Sequence, residues 1–441
     1  MRILLVQTLS IEDAPPERVY PIGIACLAGS LNGQGHTVDI LDMNIAGDPY
    51  GCLKEKLLDF QPELVGLSLR NIDPLGNRTA SLIPSFIVAV RIVAALSPQA
   101  WLVVGGTGFS LFPERILKEL PEIDYGITGE GEISFPALVS SLRNSSRSRK
   151  PRMQDGSNSR LIASSEGLDL SQYVPPARQL FDPRPYLDIN SYVSPVGIET
   201  KRGCPYHCAY CVYPSLQGNG LRRRSPASVV DEIEWLAKEY SIASFHFTDP
   251  VLNIPRGHLE DISNEILRRK LKIRWSGFMR EDHLDEKNMA LYEKAGCECF
   301  FFSADGLCQQ SLDVLQKGMT EDDILNAARL AAASDVISVY HFMVNVPGES
   351  EDTVAKGMRL LDRIYDLHSP KRNLGTVVLN NIRILPGTAI EKIAREEGVI
   401  GPDTDLLYPV YYNPRPFDTL RYRLQALHLQ RNVFMWHEVK R

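Results

Sequence analysis

Apolar residues follow two rhythms along this chain, short unbroken runs and stripes at helical spacing, and the two alternate from the first residues onward. Runs of about four to eight apolar residues bounded by turn formers read as strands covered on both faces, whereas apolar positions recurring at i, i+3, i+4 and i+7 read as helices with one covered face. Between residue 2 and about 143 the runs are ILLVQ (3–7), TVDIL (37–41), LVGLSL (64–69), WLVVGG (101–106) and YGITG (125–129). Helical stripes fall between them, as from Ile22 to Leu31, where Ile24, Leu27, Ala28 and Leu31 share a face. This alternation predicts an α/β, doubly wound, Rossmann-like domain with ligands at the carboxyl ends of its strands.

A second alternation starts near Val196, with strands expected at VGIET (196–200), SFHFTD (244–249), IRWSGF (273–278), CFFFSAD (299–305), VYHFMVN (339–345) and TVVLNNIRI (376–384). Six strand-helix units predict a partial (βα)6, TIM-like barrel whose active face collects the loops after each strand. Its first helix is signposted by Ser225 as N-cap and Pro226 at the first helical position, followed by Val229, Val230, Ile233 and Leu236 along one stripe. Between the two alternations, NSSRSRKPRMQDGSNS (144–159) is too polar to bury itself and is expected as an exposed loop. Residues 160–190 carry Pro175, Pro176, Pro183 and Pro185 and are expected as an extended strap. The expected division is therefore 1–143, 144–190, 191–412 and 413–441, the last a helical tail.

Composition narrows the picture. With 441 residues, 44% of them hydrophobic, the chain holds more than one core. A net charge of -6 argues against a partner gripped through many phosphates, so no nucleic acid is expected. No run is long enough for a membrane helix and no leader precedes the first strand, so a cytoplasmic enzyme is expected. Eight cysteines are too sparse for a disulfide scaffold, and three of them, Cys204, Cys208 and Cys211, crowd onto one loop after the first barrel strand. Three thiolates leave a four-iron cube with one open iron, whereas structural zinc needs a fourth ligand, for which only His207 lies nearby.

The spacing Cys204-x3-Cys208-x2-Cys211, with the aromatic Tyr210 before the last cysteine, resembles the radical S-adenosylmethionine enzymes, and the likeness runs from about Val196 to about Pro409. The resemblance implies a [4Fe-4S] cluster on those three cysteines, S-adenosylmethionine chelated by the open iron, and an electron donor such as flavodoxin or ferredoxin. It also implies cosubstrate contacts at strand ends: Asp249 after the second strand, Ser303 and Asp305 at the fourth, Asn345 on the fifth. A helix cap or turn role is the plain alternative for each, and Arg280 reads as a salt-bridged residue of the barrel mouth.

In the first domain, Ser68, Arg70 and Asn71 after the third strand, Gly105-Gly106-Thr107 after the fourth and Gly129-Glu130 after the fifth resemble the cobalamin-binding domains fused to such enzymes. Glycines there let the backbone approach a bulky nucleotide arm. The loop 9–23 has no histidine, so Arg70, which cannot lose its proton, is expected to face the lower side of cobalt; pairing with Asp73 or Asp42 is the alternative. Cys297, Cys299 and Cys308 are expected as buried inert thiols, His246 and His341 as satisfied core histidines, and Lys317-Gly318-Met319 as a loop former.

What the resemblance implies is a methyltransferase acting on an unactivated carbon of a small or medium-sized metabolite. One S-adenosylmethionine methylates cob(I)alamin, a second yields the 5'-deoxyadenosyl radical, and the substrate radical collects the methyl group from methylcobalamin. Such a transfer expects both domains to close over a shared cavity. A cyclase or ring-rearranging oxidoreductase using the same cofactors is the second reading. A transfer-RNA methylthiotransferase fits less well, since only about 30 residues follow the barrel to form an RNA-binding module, and a non-catalytic cobalamin or redox sensor is the reading outside enzymes.

Overall fold

Strand runs and helical stripes alternate in the computed structural model much as they do in the sequence; it describes residues 1–9, 19–74, 79–144, 160–163, 167–187 and 194–431. The expected exposed loop at 144–159 and most of the histidine-free loop at 9–23 lie outside the described residues. The chain forms two compact units, the first mainly the residues up to Val196 together with Leu407–Pro409, the second mainly those from Gly197 onward.

In the first unit, β1 (Arg2–Gln7), β2 (Thr37–Asp42), β3 (Leu64–Ser68), β4 (Trp101–Gly105), β5 (Tyr125–Thr128) and β6 (Leu161–Ala163) form one sheet in the order β2-β1-β3-β4-β5-β6. Every pairing is parallel, with Ile3 opposite both Val38 and Leu64, and Leu64 opposite Trp101. Parallel strands need covering on both faces. Helix Ile22–Ser30 packs with Gly131–Asn144, and Pro49–Phe60 packs with Ile83–Leu96. Ile24, Ala28 and Leu31 are buried in one core with Ile3, Leu64 and Phe135, while Leu27 is partly buried against it.

The strap expected at 160–190 is more ordered than its prolines suggested. Arg160 donates to the Ile123 and Leu117 carbonyls at 2.9 and 2.8 Å, and the next residues enter the sheet as its edge strand, with Leu161 opposite Gly126. Three single 3-10 turns follow, at Leu170–Gln172, Arg178–Leu180 and Arg184–Tyr186. Prolines rule out helix here, but Phe181 and Tyr186 pack on Tyr20 with ring centroids 5.9 and 5.6 Å away. Tyr186 also donates its hydroxyl to the buried Asp42 carboxylate at 2.5 Å.

In the second unit the main sheet runs β14-β13-β12-β11-β10-β7, chain-order neighbours all pairing in parallel, as a partial barrel requires. The strands are β7 (Gly197–Ile198), β10 (Ser244–Phe247), β11 (Arg274–Met279), β12 (Cys297–Asp305), β13 (Ile337–Met343) and β14 (Leu374–Asn380); a hairpin of β8 (Lys201–Arg202) and β9 (Arg222–Arg223) stands apart. Two expected strands differ. The first is only Gly197–Ile198, because Thr200 and Lys201 turn toward Asp249. The sixth breaks at Asn381, whose amide donates to the Val344 carbonyl at 3.3 Å, and β15 (Ile382–Arg383) then pairs antiparallel with β16 (Tyr411–Tyr412). The Asn380-Asn381 pair interrupts the apolar run at this point, but spacing alone cannot reveal that the two halves have different partners.

Helix Pro226–Tyr240 starts as expected: the Ser225 hydroxyl accepts the Ser228 N–H at 3.1 Å, and Val229, Val230, Ile233 and Leu236 are buried. The tail is helical over Leu420–Leu429 and packs on β14; its remainder, 432–441, lies outside the described residues.

Candidate functional site

The β8–β9 hairpin brackets the loop carrying Cys204, Cys208 and Cys211. Gly203 opens it at φ +88°, and a Cβ there would sit 2.1 Å from the Gly220 carbonyl oxygen, so only glycine fits. The loop is pinned through its backbone: Cys204 N–H donates to Gly218 at 3.1 Å, Cys211 N–H to Cys208 at 3.0 Å, and Ala209 N–H to Leu315 at 2.9 Å. The Ala209 carbonyl in turn accepts from Ile390 at 3.0 Å. The thiols are free and near enough that a thiolate on Cys208 raises the pKa of Cys204, and thiolates on Cys208 and Cys204 raise that of Cys211.

Burial, the largest effect, also pushes Cys204 up and Cys211 to about 11, while the cations of Arg280 and Lys317 pull Cys204 back. Ligation must therefore displace protons. Among the described residues no three His, Cys, Asp or Glu side chains are gathered as a single ion would hold them. One zinc ion binds each thiolate at about 2.3 Å and so draws its sulfurs together. A cube, with each cysteine on a different iron, spreads them, so a donor set of three thiols on one loop fits the cube.

Beside this loop lies a group of buried charges. The Asp305 carboxylate, on a residue at φ +63°, accepts from Lys317 Nζ at 2.7 Å and from the Tyr210 hydroxyl. Tyr210 and Asp305, both expected at the cosubstrate, thus hold each other, and burial first and Asp305 second keep the Tyr210 hydroxyl protonated. Arg280 is 1% exposed; it grips Asp282 through Nε and Nη2 at 3.0 and 2.8 Å and lies 3.8 Å over the Tyr206 ring. The expected salt bridge is present. Yet Arg280 Nη1 is buried with no partner, as are both carboxyl oxygens of Glu281 on the next residue. Burial pushes Glu281 up to about 8.

Other expected contacts are already committed. Asp249 is 2% exposed and accepts from the Thr200 N–H at 2.8 Å, the Thr200 hydroxyl and Lys201 Nζ at 2.7 Å. Its carboxylate anchors the chain entering the cysteine loop. Asn345, at φ +53°, donates to Asn413 Oδ1 at 2.7 Å and to the Pro414 carbonyl at 2.8 Å, so its amide protons are likewise spent. Ser303 is half-buried on β12, 3.4 Å from the Met279 carbonyl.

Glu281 and Lys201 escaped the sequence reading, and Lys317 entered it only as a loop former. One signal was available: Arg280-Glu281-Asp282 places three charges directly after an apolar strand, at the end where barrel sites form.

In the first unit the expected ligand residues gather at the carboxyl ends of β3, β4 and β5. Arg70, Thr107 and Gly129 are exposed there, and Ser68, Asn71, Gly105, Gly106 and Glu130 are half-buried. Thr107 donates its hydroxyl to the Arg70 carbonyl at 2.5 Å, Gly129 N–H donates to Ser110 Oγ at 3.0 Å, and Glu130 Oε2 accepts the Leu168 N–H at 2.8 Å. Gly106, at φ +99°, has the Leu69 carbonyl 2.6 Å from where a Cβ would stand. Its glycine is thus required by strand packing, independently of any ligand. Burial raises the pKa of Asp42, while the Tyr186 and Asn44 hydrogen bonds and, least, the Arg70 charge pull it back. The result is an accessible ledge of backbone and small side chains, suited to a ligand too large to be swallowed.

A doubly wound unit with such a ledge and a partial barrel with a three-thiol loop define a two-cofactor redox enzyme. The B12 binding domain family matches residues 13–139, and the Radical SAM superfamily matches 198–361. The chain therefore carries both a B12-binding domain and a radical S-adenosylmethionine domain, with cobalamin, S-adenosylmethionine and a [4Fe-4S] cluster as cofactors. It is 26% identical to an uncharacterized methyltransferase of Pyrococcus horikoshii, over 82% of this chain and 78% of that one. An anaerobic magnesium-protoporphyrin IX monomethyl ester cyclase of Cereibacter sphaeroides is also 26% identical, over 77% of this chain but only 56% of the cyclase. The fold is similar to that of the radical S-adenosylmethionine methyltransferase TsrM of Kitasatospora setae, solved with tryptophan and a cosubstrate analogue, with TM-score 0.75 at 23% identity over 90% of this chain and 76% of that one. Among the described residues no helix is long and apolar enough to cross a membrane.

Proposed function

We propose that this enzyme is a cobalamin-dependent radical S-adenosylmethionine methyltransferase that methylates an unactivated carbon of a small or medium-sized metabolite. The observation that carries the reading is a three-thiol loop beside buried polar atoms that have nothing to bind. When bound, the cluster supplies the electron that cleaves S-adenosylmethionine, and cobalamin supplies the methyl carrier. Everything else falls to the chain.

Cys204, Cys208 and Cys211 would ligate three irons and leave the fourth free; Arg280 and Lys317 favour the thiolate of Cys204, and Lys317 that of Cys211. The methionine end of S-adenosylmethionine carries a carboxylate and an amino group. Arg280 Nη1 is an unused donor for the first and Glu281 an unused acceptor for the second. A buried polar atom without a partner costs about 1–3 kcal/mol, which a complementary ligand recovers. Tyr210, Asp305 and Lys317 hold the loop's last turn, Asp249 and Asn345 shape the mouth, and Ser303 faces the cosubstrate. Ser68, Asn71, Gly105, Gly106, Thr107, Gly129 and Glu130 would hold cobalamin at their ledge, and Arg70 would be the charged side chain that meets it there. An electron comes from a flavodoxin or ferredoxin. Eight cysteines, none of them in a disulfide, suit the reducing cytoplasm.

Anaerobic reconstitution tests the reading. Iron and sulfide at the loop, with S-adenosylhomocysteine, 5'-deoxyadenosine and a methylated product, support it; zinc at the loop overturns it. The likeness to the cyclase favours a second reading, ring closure without methyl transfer, which predicts 5'-deoxyadenosine and an altered substrate with no S-adenosylhomocysteine.

A further inference from the structure

Strand register sorts the residues of the second unit's sheet into two rows. Phe245, Phe247, Trp275, Phe300, Phe302, Tyr340 and Phe342 form one row, and every one is 0% exposed. The opposite row contains Ser276 and Phe278 on β11, which stand level with His246 of β10 and Phe301 of β12, and His341 on β13 level with Val378 of β14. In a barrel filled by its own side chains this inner row would be as buried as the outer one. Not throughout: His246, Phe278, Ser303, His341, Met343 and Val378 stay partly exposed, whereas Ser276, Phe301 and Val339 of the same row are at most 2% exposed. The lumen is therefore not completely filled by its own side chains, and Phe301 lies at its floor.

Its lining has a definite chemistry. Four rings meet around the floor: His246 lies 6.0 Å from Phe278 and 5.9 Å from Phe301, and His341 lies 5.3 Å from Phe278 and 6.2 Å from Phe301, centroid to centroid. His246 Nδ1 bonds Ser276 Oγ at 2.9 Å, and His341 Nδ1 meets the Phe302 carbonyl at 3.1 Å. A carbonyl only accepts, so His341 Nδ1 carries a proton. Burial lowers the pKa of both rings, His246 to about 4, so both are uncharged at neutral pH. An uncharged ring protonated on Nδ1 has a bare Nε2, and among the described residues His341 Nε2 has no partner. These two histidines, expected as satisfied core residues, are satisfied at one nitrogen only.

We propose that the floor formed by Phe278, Phe301, His246 and His341 receives an uncharged aromatic ring of the substrate and selects one bearing an N–H or O–H donor, accepted by His341 Nε2. The proposal rests on the methyltransferase reading only for calling the ligand a substrate. Flat apolar surface complements the ring faces, the absence of charge in the lining disfavours a charged ring, and the bare Nε2 of His341 sets the preference for a donor.

Titration calorimetry of the full-chain, anaerobically loaded protein with indole and with 1-methylindole tests it, since the pair differ in the donor. Indole is expected to bind about tenfold more tightly, the effect of one well-formed hydrogen bond. H341F, which keeps the ring and removes the acceptor, is expected to bring indole to the affinity of 1-methylindole and leave the latter unchanged. F278L, a milder change than alanine for folding, is expected to weaken both probes equally. Equal binding of the two by the wild-type protein overturns the proposal, as does a preference surviving in H341F. A retained preference in a protein that makes no methylated product would overturn the methyltransferase reading instead.

Discussion

The two units carry their candidate sites at the same topological place, the carboxyl ends of parallel strands, and build them from opposite materials. In the first, Gly105, Gly106, Thr107 and Gly129 offer backbone and small side chains at an accessible ledge, with Arg70 as an exposed charge. In the second, Lys201 with Asp249 and Lys317 with Asp305 are ion pairs whose side chains are at most 9% exposed, and Arg280 and Glu281 are buried beside them. A large ligand bound at its rim needs room and backbone donors. A site that must keep water from a reactive centre needs charges taken out of solvent, and these are costly to disturb. Perturbing the second unit should therefore cost folding and cofactor together, whereas the first should lose its ligand while staying folded.

The hardest test of that contrast is C208A, expected to remove the iron of the anaerobically prepared protein and all product formation while cobalamin binding persists; iron analysis and visible absorbance report both. K201M leaves the Asp249 carboxylate buried and unpaired, and unfolding in urea should show a loss of about 3–5 kcal/mol. The double variant K201M/D249L should recover most of it.

Glu281 offers a pH-dependent version. Its carboxyl, near 4.5 when free in the unfolded chain, is pushed to about 8 in the fold. Between those values the native state binds the extra proton, so wild-type stability should fall as pH rises from 5 to 8, by up to roughly 1.4 kcal/mol per unit. E281Q should flatten that slope, and an unchanged slope would remove the buried-acid description. G106A in the first unit should cost about 1–3 kcal/mol, because a Cβ would meet the Leu69 carbonyl. Smallest of all, R70A should move the unfolding midpoint by less than about 0.5 kcal/mol while changing the visible spectrum of bound cobalamin.

The fold class was legible because period is written locally: the strand and helix stripes at Ile24, Val229 and Phe301 each report their own burial. The cysteine loop was equally legible, since three cysteines within eight positions need no partner from elsewhere. The hydrogen-bond partners of Asp249 and Asn345 were not legible, for the opposite reason. What a carboxylate or amide binds depends on which distant group reaches it first, and here Thr200 and Lys201 claim one and Asn413 and Pro414 the other. Phe181 and Tyr186 likewise turned a proline-rich strap into structured chain through packing on Tyr20.

By itself, then, the sequence determined two parallel α/β units, their order and the thiol loop, all of which follow from spacing along the chain. Only the tertiary structure decided that Glu281 and Arg280 keep unpartnered atoms, that Lys317 joins Tyr210 to Asp305, and that His341 stands on the inner row of the sheet with one ring nitrogen unpaired. Those properties are balances of burial against available partners, and partners far apart in sequence are assigned only when the strands align.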